Sequence, residues 1–600
     1  MRSKFGYIED DYVPRARDGK LISKIIAIAA PHWKWVTFGL ILSLGVTAAS
    51  LALPYLLRLG IDQYIVNEEL ANIERMSGIT RLSLQFLIIM LAGFGAQFCQ
   101  VVVLEWAGQN MMHSLRQKLF IHTLHLPVSF FNTTPVGRIV TRVTNDIQNM
   151  HEMFTSVVVT GVNDFIRLGG ILILLFWMNW RLACVVSLVF PFLVLSTVLF
   201  GRLARDVSRR IRTSLAGLNT FIQENISGIS VLQLFGVQQD SMNKYHILGK
   251  DYCQLVLRQI RIFGTFMPLI ELLQSIALSL IIWYGGGEII RERMTLGDLT
   301  AFISYIRLFF QPVRELSQKY SIVQSAMASA ERIFHLMELE TTDSSGIIPP
   351  HIDGKVEFQG VSFSYKENHP VLRNLTFTVH PGETLAIVGA TGAGKSTIIN
   401  LIERFHAPDD GMILLDGMNL QHLSSEWLRK MIGFVPQDLF FVAGTIRDNI
   451  VLDMEVSEED LERILDLSQM SSVVKGLPDG LQTRIGAGFD LSRGQQQLMN
   501  LARVLARNPK ILILDEATAN VDSETEMFID QALENMMTHR TCILIAHRLS
   551  TVRRADRILV MDRGEIVESG SHDGLMAEKG HYFRLQRLLD TEGGRLKSEV

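Results

Sequence analysis

At 600 residues the chain is too long for a single hydrophobic core, so at least two domains are expected. Its residues are 48% hydrophobic and 20% charged, with a mean hydropathy of +0.23 that is high for a water-soluble protein. The net charge of −4 argues against nucleic acid as a partner, and four scattered cysteines (Cys99, Cys184, Cys253, Cys542) without CxxC spacing indicate neither a zinc site nor a disulfide framework.

Met1 to Lys24 is polar, mixed in charge and lacks the apolar core of a cleavable signal, so insertion is expected to rely on later segments. Runs long enough to cross a bilayer cluster before Glu340. Val36–Leu57, Leu82–Leu104 and Leu182–Gly201 are uncharged, whereas Met153–Met178, Phe263–Gly287 and Thr295–Val313 carry internal charge. Six spans put both ends of this domain on one side. Arg15, Arg17, Lys20, Lys24 and Lys34 precede the first span, and arginines and lysines from Arg202 to Arg261 crowd the connection between the fourth and fifth. Basic flanks favour the cytoplasm, which places the N-terminus there and makes the 2–3 and 4–5 connections cytoplasmic.

Those two long connections keep helical periodicity, so the membrane helices are expected to run on and turn around short transverse helices near Phe130–Pro135 and Leu234–Gln239. Charges inside spans are costly, roughly 2.5–3.5 kcal/mol each at mid-membrane, and are expected to face a cavity or one another. Asp164 and Arg167, three apart on one helical face, are candidates to pair, and Glu271, Arg307 and Arg314 sit in or beside the fifth and sixth spans. Two readings stand side by side: mutual neutralisation inside the bundle, or a polar path for an amphipathic molecule.

After Ala330 a polar stretch ending in Pro349-Pro350 reads as a linker. The expected organisation is multidomain: an all-α six-helix transmembrane domain (1–335), a linker (336–352), an α/β P-loop nucleotide-binding domain (353–590) and a tail (591–600). In the α/β part, an apolar strand from Leu385 runs into Gly389-x-x-x-x-Gly394-Lys395-Ser396 and then into a helix. This is the P-loop pattern, in which backbone N–H groups close round phosphates, the helix N-terminus adds positive potential, Lys395 reaches the outer phosphates and Ser396 ligates Mg²⁺. Gly389, Thr391, Gly392, Ala393, Gly394, Lys395, Ser396 and Thr397 are therefore the expected phosphate cradle. A second strand, Ile511–Leu514, delivers Asp515 as metal carboxylate and Glu516 to activate water. A third, Cys542–Ala546, ends at His547, placed for the γ-phosphate. Each alone reads equally as a surface acid or a capping histidine. Three such strand ends in one domain point to ATP binding and hydrolysis.

With those residues in place, the chain resembles the ATP-binding cassette exporter family over essentially its whole length. Gln437 resembles the Q-loop glutamine linking metal and γ-phosphate to the membrane domain, and Tyr365 the aromatic that stacks on adenine. Leu491–Gln495, with Ser492, Gly494 and Gln495, resembles the signature motif; Ala519–Asp522 resembles the D-loop and His547 the switch histidine. Phe130–Asp146 resembles the first coupling loop. The resemblance implies a dimer of half-transporters in a cell membrane (that of a bacterial inner membrane), moving drugs, lipids or peptides with ATP and Mg²⁺, the cassette being cytoplasmic. Partners implied are a second half-transporter, membrane lipid and a small amphipathic substrate.

Two departures stand out. Arg493 replaces the first glycine of the usual Leu-Ser-Gly-Gly-Gln, and Gly486–Asp490 is shorter than the usual preceding segment and lacks its charged pair. Because the family closes each ATP site with the partner's signature, an intact Glu516 and His547 beside an altered signature imply a heterodimer. The rival class is a nucleotide-gated channel or a regulatory half-subunit that binds ATP without pumping. Fusion of the membrane domain ahead of the cassette disfavours an importer, and about 30 residues before the first span disfavour a peptide exporter with its own processing protease.

Overall fold

The computed structural model describes residues 18–342, 346–366, 369–437, 439–452, 454–485, 491–515, 523–545 and 552–587. Packing divides the chain into two units, residues 1–126 with 134–340, and residues 127–133 with 341–600.

The first unit is helical. After α1 (Asp18–Ala29) come α2 (Trp33–Gly60) and α3 (Asn72–Leu124). The short α4 (Val128–Thr133), lying between Pro127 and Pro135, belongs to the second unit. Next are α5 (Val136–Met178), whose run includes two π-helical stretches, and α6 (Trp180–Ser227). The short α7 (Ile229–Leu234) leads through Gly236 into α8 (Gln238–Ile290), followed by α9 (Leu296–Met337). The expected turns at both long connections are thus present as α4 and α7. With 53 residues each, α3 and α8 rise about 80 Å, against a hydrocarbon core of about 30 Å. The helices overshoot the membrane.

Among the described residues, five helical segments are long and apolar enough to span: Ser23–Ile65, α3, α5, α6 and α8. The sixth, α9, has 42 residues and ample length, but it falls short on composition because Arg307, Arg314, Glu315 and Lys319 interrupt it. Its first turn is secured from outside the helix. Thr295 and Asp298 form a reciprocal cap, the Gly297 N–H donates to Asp62 at 2.7 Å, and Arg58 Nε meets Asp298 at 2.6 Å. The end of α2 is thereby tied to the start of α9. Between α5, α6, α8 and α9 lies an apolar core with Ile171, Leu182, Ile270 and Phe302 fully buried, and the buried Tyr305 donates its hydroxyl to Leu51 O at 2.7 Å.

The second unit carries two main sheets. Strands β1 (Val356–Ser364), β2 (Pro370–Val379), β4 (Asp410–Leu415) and β5 (Met418–Asn419) make an antiparallel sheet ordered β2-β1-β4-β5. The other sheet contains β3 (Thr384–Gly389), β6 (Ile432–Val435), β7 (Ile511–Asp515), β8 (Thr541–Ile545), β9 (Arg557–Asp562) and β10 (Glu565–Gly570). Its order is β10-β9-β3-β8-β7-β6, parallel except for the β9–β10 pair. Continuous apolar runs such as Ile511–Leu514 and Cys542–Ile545 suit strands buried on both faces, and all are buried.

Candidate functional site

Parallel strands bring their carboxyl ends to one edge of a sheet, where open α/β sheets bind ligands. Here β8 is the ruler: Ile545 is level with Ile387 of β3 on one side and with Asp515 of β7 on the other. On the far side of β7, Val435 of β6 is level with Leu514, and Gln437 follows two residues later, exposed. The loop after β3, Asp515 and Gln437 therefore share one edge. Glu516, Asp522 and His547 lie outside the described residues, as does the 486–490 segment.

The loop from Gly389 to Gly394 is shaped for close approach. A Cβ at Gly389 would lie 2.3 Å from Met561 O. Gly394, at φ +101°, caps α10 (Lys395–Ile402) in a left-handed conformation, and a Cβ there would meet Leu372 Cδ2 at 2.6 Å. Thr391, Gly392 and Ser396 are exposed, whereas Ala393, Lys395 and Thr397 are buried. The Lys395 ammonium folds back on its own loop, donating to Gly389 O at 2.6 Å and Ala390 O at 3.2 Å. Small residues, free surface at the loop tip, a lysine over the loop and a carboxylate at the end of the strand next but one fit a magnesium-bound triphosphate.

Tyr365, just beyond β1, is half exposed and held in place by α10 and its exit. Asn400 Nδ2 donates to the Tyr365 hydroxyl at 2.8 Å, and the hydroxyl lies 3.4 Å from Thr397 Oγ1. The rings of Phe363 and His406 meet the Tyr365 ring edge-on, at 4.9 and 5.2 Å between centroids. Burial pushes the His406 imidazole below its ordinary pKa, which keeps it neutral near pH 7. Asn400 and His406 hold Tyr365 in place, contacts that the sequence alone does not reveal. The signal for Asn400 was its position one helical turn from Thr397.

Under the same helix, the Glu403 carboxyl is buried, and its Oε1 has no hydrogen-bond partner among the described residues. Burial raises its pKa to about 7, opposed by the Arg429 and Arg507 guanidiniums. An acid whose pKa rises on folding binds a proton in the folded state that the unfolded state has lost. Stability should therefore fall as pH climbs from about 4.5 to about 7 and level off above. Glu403→Gln is expected to flatten that slope, stabilising the protein at pH 8 by up to roughly 3 kcal/mol and changing little at pH 4.5. Thermal unfolding at both pH values checks this. An unchanged slope would mean that Glu403 is ionised in the folded protein.

Ser492 and Gln495, expected signature residues, build a capping box at the start of α12 (Arg493–Ala506), where the third helical position Gln495 returns its side-chain oxygen to Ser492 N at 3.0 Å; α11 (Ser425–Met431) carries Arg429. Gly494 is buried and Arg493 is exposed at the first helical position.

In the helical unit a cavity of about 480 Å³ opens among α2, α3, α5 and α9, lined by Gln97, Gln100, Glu105, Asn163, Glu315 and Lys319 together with apolar side chains. Asn163 accepts from Thr47 Oγ1 at 2.6 Å and Ser43 Oγ at 3.1 Å. The expected Asp164–Arg167 pair does not form. Lys319 takes Asp164 and also Glu315, while Arg167 donates to Gln311 at 3.4 Å. A lysine from another helix reaches the carboxylate better than an arginine on its own helix. Arg314 bonds Gln274, and Glu271 and Arg307 are exposed with no ion pair among the described residues.

Comparison with known proteins gives two family matches: residues 36–313 match the ABC transporter transmembrane region, and residues 372–519 match the family described as ABC transporter. The ATP-dependent lipid A-core flippase of Syntrophus aciditrophicus is 32% identical over 584 residues, 96% of each chain. The probable multidrug resistance ABC transporter ATP-binding/permease protein YheH of Bacillus subtilis is 36% identical over 82% of this chain and 74% of its own. The fatty acid ABC transporter ATP-binding/permease protein of Mycobacterium bovis is 35% identical over 84% of this chain and 80% of its own.

Proposed function

The chain belongs to the ABC transporter family as an exporter-type half-transporter that couples ATP hydrolysis to transport, and on that premise we propose how its residues divide the work. The observation that carries the proposal is the shared sheet edge bearing the Gly389–Gly394 loop, Asp515 and Gln437. Lys395 leaves the carbonyls of Gly389 and Ala390 for the outer phosphates, a short swing for an ammonium already seated over the loop. Ser396, Asp515 and Gln437 would hold Mg²⁺, which supplies charge neutralisation on the phosphates when bound. Glu516 accepts the proton of the attacking water and His547 steadies the γ-phosphate. Tyr365, braced by Asn400 and His406, supports the adenine.

The cargo is an amphipathic molecule that meets the polar cavity at Gln97, Glu105 and Glu315 and apolar wall residues elsewhere. Lipid A-core and fatty acids, for which two relatives are named, are amphipathic, which supports this class. The membrane is the cytoplasmic membrane of a bacterium, with the N-terminus, α4, α7 and the cassette inside, a reading supported by the basic flanks of the spans. The domains divide at a linker near residues 336–352. Uptake of a fluorescent lipid or drug into inside-out vesicles on addition of ATP tests the transport direction, and ATP-independent flux would favour a channel.

The second half of the pump is a different chain. A signature approaches the γ-phosphate through backbone N–H groups, and Arg493 puts a long side chain where the family has glycine. Two copies of this chain would carry Arg493 at both sites, whereas a partner with an unaltered signature confines it to one. Expressed alone, the chain is expected to show little substrate-stimulated ATPase, and Arg493→Gly is expected to raise activity of the assembled pair. A stable homodimer with full stimulated ATPase would refute the heterodimer.

A further inference from the structure

Away from the polar cavity, and sharing no lining residue with it, a second opening lies between α6 and α8. It is an apolar groove of about 540 Å³, walled by Leu195, Leu199 and Leu203 of α6 and by Ile262, Leu269 and Leu273 of α8. Phe200 and Phe266, stacked at 3.9 Å between centroids, form its floor. The groove is open to the surroundings: Leu195 and Leu199 are 65% and 55% exposed.

One end of the groove is different in kind. Arg258 and Arg261 line it there, both exposed and neither paired with a carboxylate among the described residues. From Arg261 to Leu273 the helix rises about 18 Å, and from Phe192 to Leu203 the facing helix rises about 16 Å. Half of a bilayer's hydrocarbon core is about 15 Å. The apolar part thus matches one leaflet in length, and seating it there would set the two guanidiniums at that leaflet's head-group level.

We propose that this groove holds an acyl chain of an anionic phospholipid from the surrounding bilayer, its phosphate lying against Arg258 and Arg261. Guanidinium forks suit phosphate oxygens, and a phosphate at the bilayer surface is met without dragging charge into the hydrocarbon. An uncharged lipid or an apolar helix of a partner subunit would fill the groove but leave both arginines without a counter-charge. Charge complementarity selects the anionic lipid. Its assignment to the cytoplasmic leaflet rests on the orientation proposed above.

Native mass spectrometry of the full chain, purified with whatever subunit it assembles with, tests the site by titration with phosphatidylglycerol or phosphatidylcholine of matched acyl chains. Phosphatidylglycerol is expected to be retained at concentrations about tenfold lower or better. R258Q/R261Q should abolish that preference, R258K/R261K should keep most of it, and Leu199→Trp, by filling the groove, should lower retention of both lipids. An undiminished preference in R258Q/R261Q overturns the proposal, as does a photo-crosslinker at Leu199 that captures a partner subunit instead of lipid. Sidedness is read separately with an impermeant thiol reagent on exposed Cys253, after Cys99 and Cys184 are changed to serine, in sealed vesicles of known orientation. Labelling from the outer side would overturn the proposed orientation and leave the lipid site standing.

Discussion

Glu516→Gln is expected to leave nucleotide binding intact while slowing ATP turnover by about 10²–10⁴-fold. Asp515 stands at the end of β7, its place fixed by register with Ile545 of β8, itself level with Ile387 of β3. Two strand spacings separate β7 from β3, about 10 Å, which leaves room for a phosphate, its metal and a water between the loop and the acid. Glu516 follows Asp515 directly in the chain, and on the proposed assignment, with Asp515 holding the metal, it takes the water's proton. Glutamine keeps the size and the hydrogen bonds but accepts no proton. Lys395→Ala should fail differently, at binding, because that ammonium is the cation seated over the loop. Single-turnover hydrolysis beside binding of a fluorescent ATP analogue separates the two effects. Near-normal hydrolysis by the glutamine variant would move the base elsewhere.

The candidate nucleotide site was legible because its chemistry is local. A glycine spacing, a lysine and a hydroxyl within eight residues need only a strand before and a helix after, and β3 and α10 supply them. Asp515 was legible for the same reason, as an acid closing a run of buried apolar residues. What holds Tyr365 was not legible, because Asn400 and His406 reach it only through the packing of α10 and its exit against β1. The membrane half shows the same limit. Helical spacing put Asp164 and Arg167 on one face, yet Lys319, 155 residues away, is the partner that folding brings. No local rule contains that contact. Length and apolar content predict the sixth helix, and its polar composition makes sense once Glu315 and Lys319 are seen lining a cavity with α3 and α5.

Arg332→Ala should destabilise the helical unit by about 3–5 kcal/mol, the usual cost of removing one partner from a buried ion pair. Asp146, on the π-helical stretch of α5, is 3% exposed and cannot be rehydrated by a small adjustment. Arg332 of α9 grips it with both Nε, at 3.0 Å, and Nη2, while Ser329 Oγ donates at 2.8 Å and is itself reached by Asn149 Nδ2 at 2.9 Å. Alanine would leave a buried carboxylate with one hydroxyl in place of a guanidinium. The partner's own partial exposure does not soften this, since the penalty falls on Asp146. Asp146→Asn combined with Arg332→Met should recover most of the loss, because a neutral pair of similar volume needs no counter-charge. Thermal unfolding of the three proteins in the same lipid measures both differences, and a cost below about 1 kcal/mol for Arg332→Ala would class the pair with solvated surface bridges. Function should follow the same contact. The polar cavity is lined from both α5 and α9, so a clamp between these helices fixes its walls. Substrate stimulation of ATPase is therefore expected to fall further than basal hydrolysis in the alanine variant and to return in the double variant.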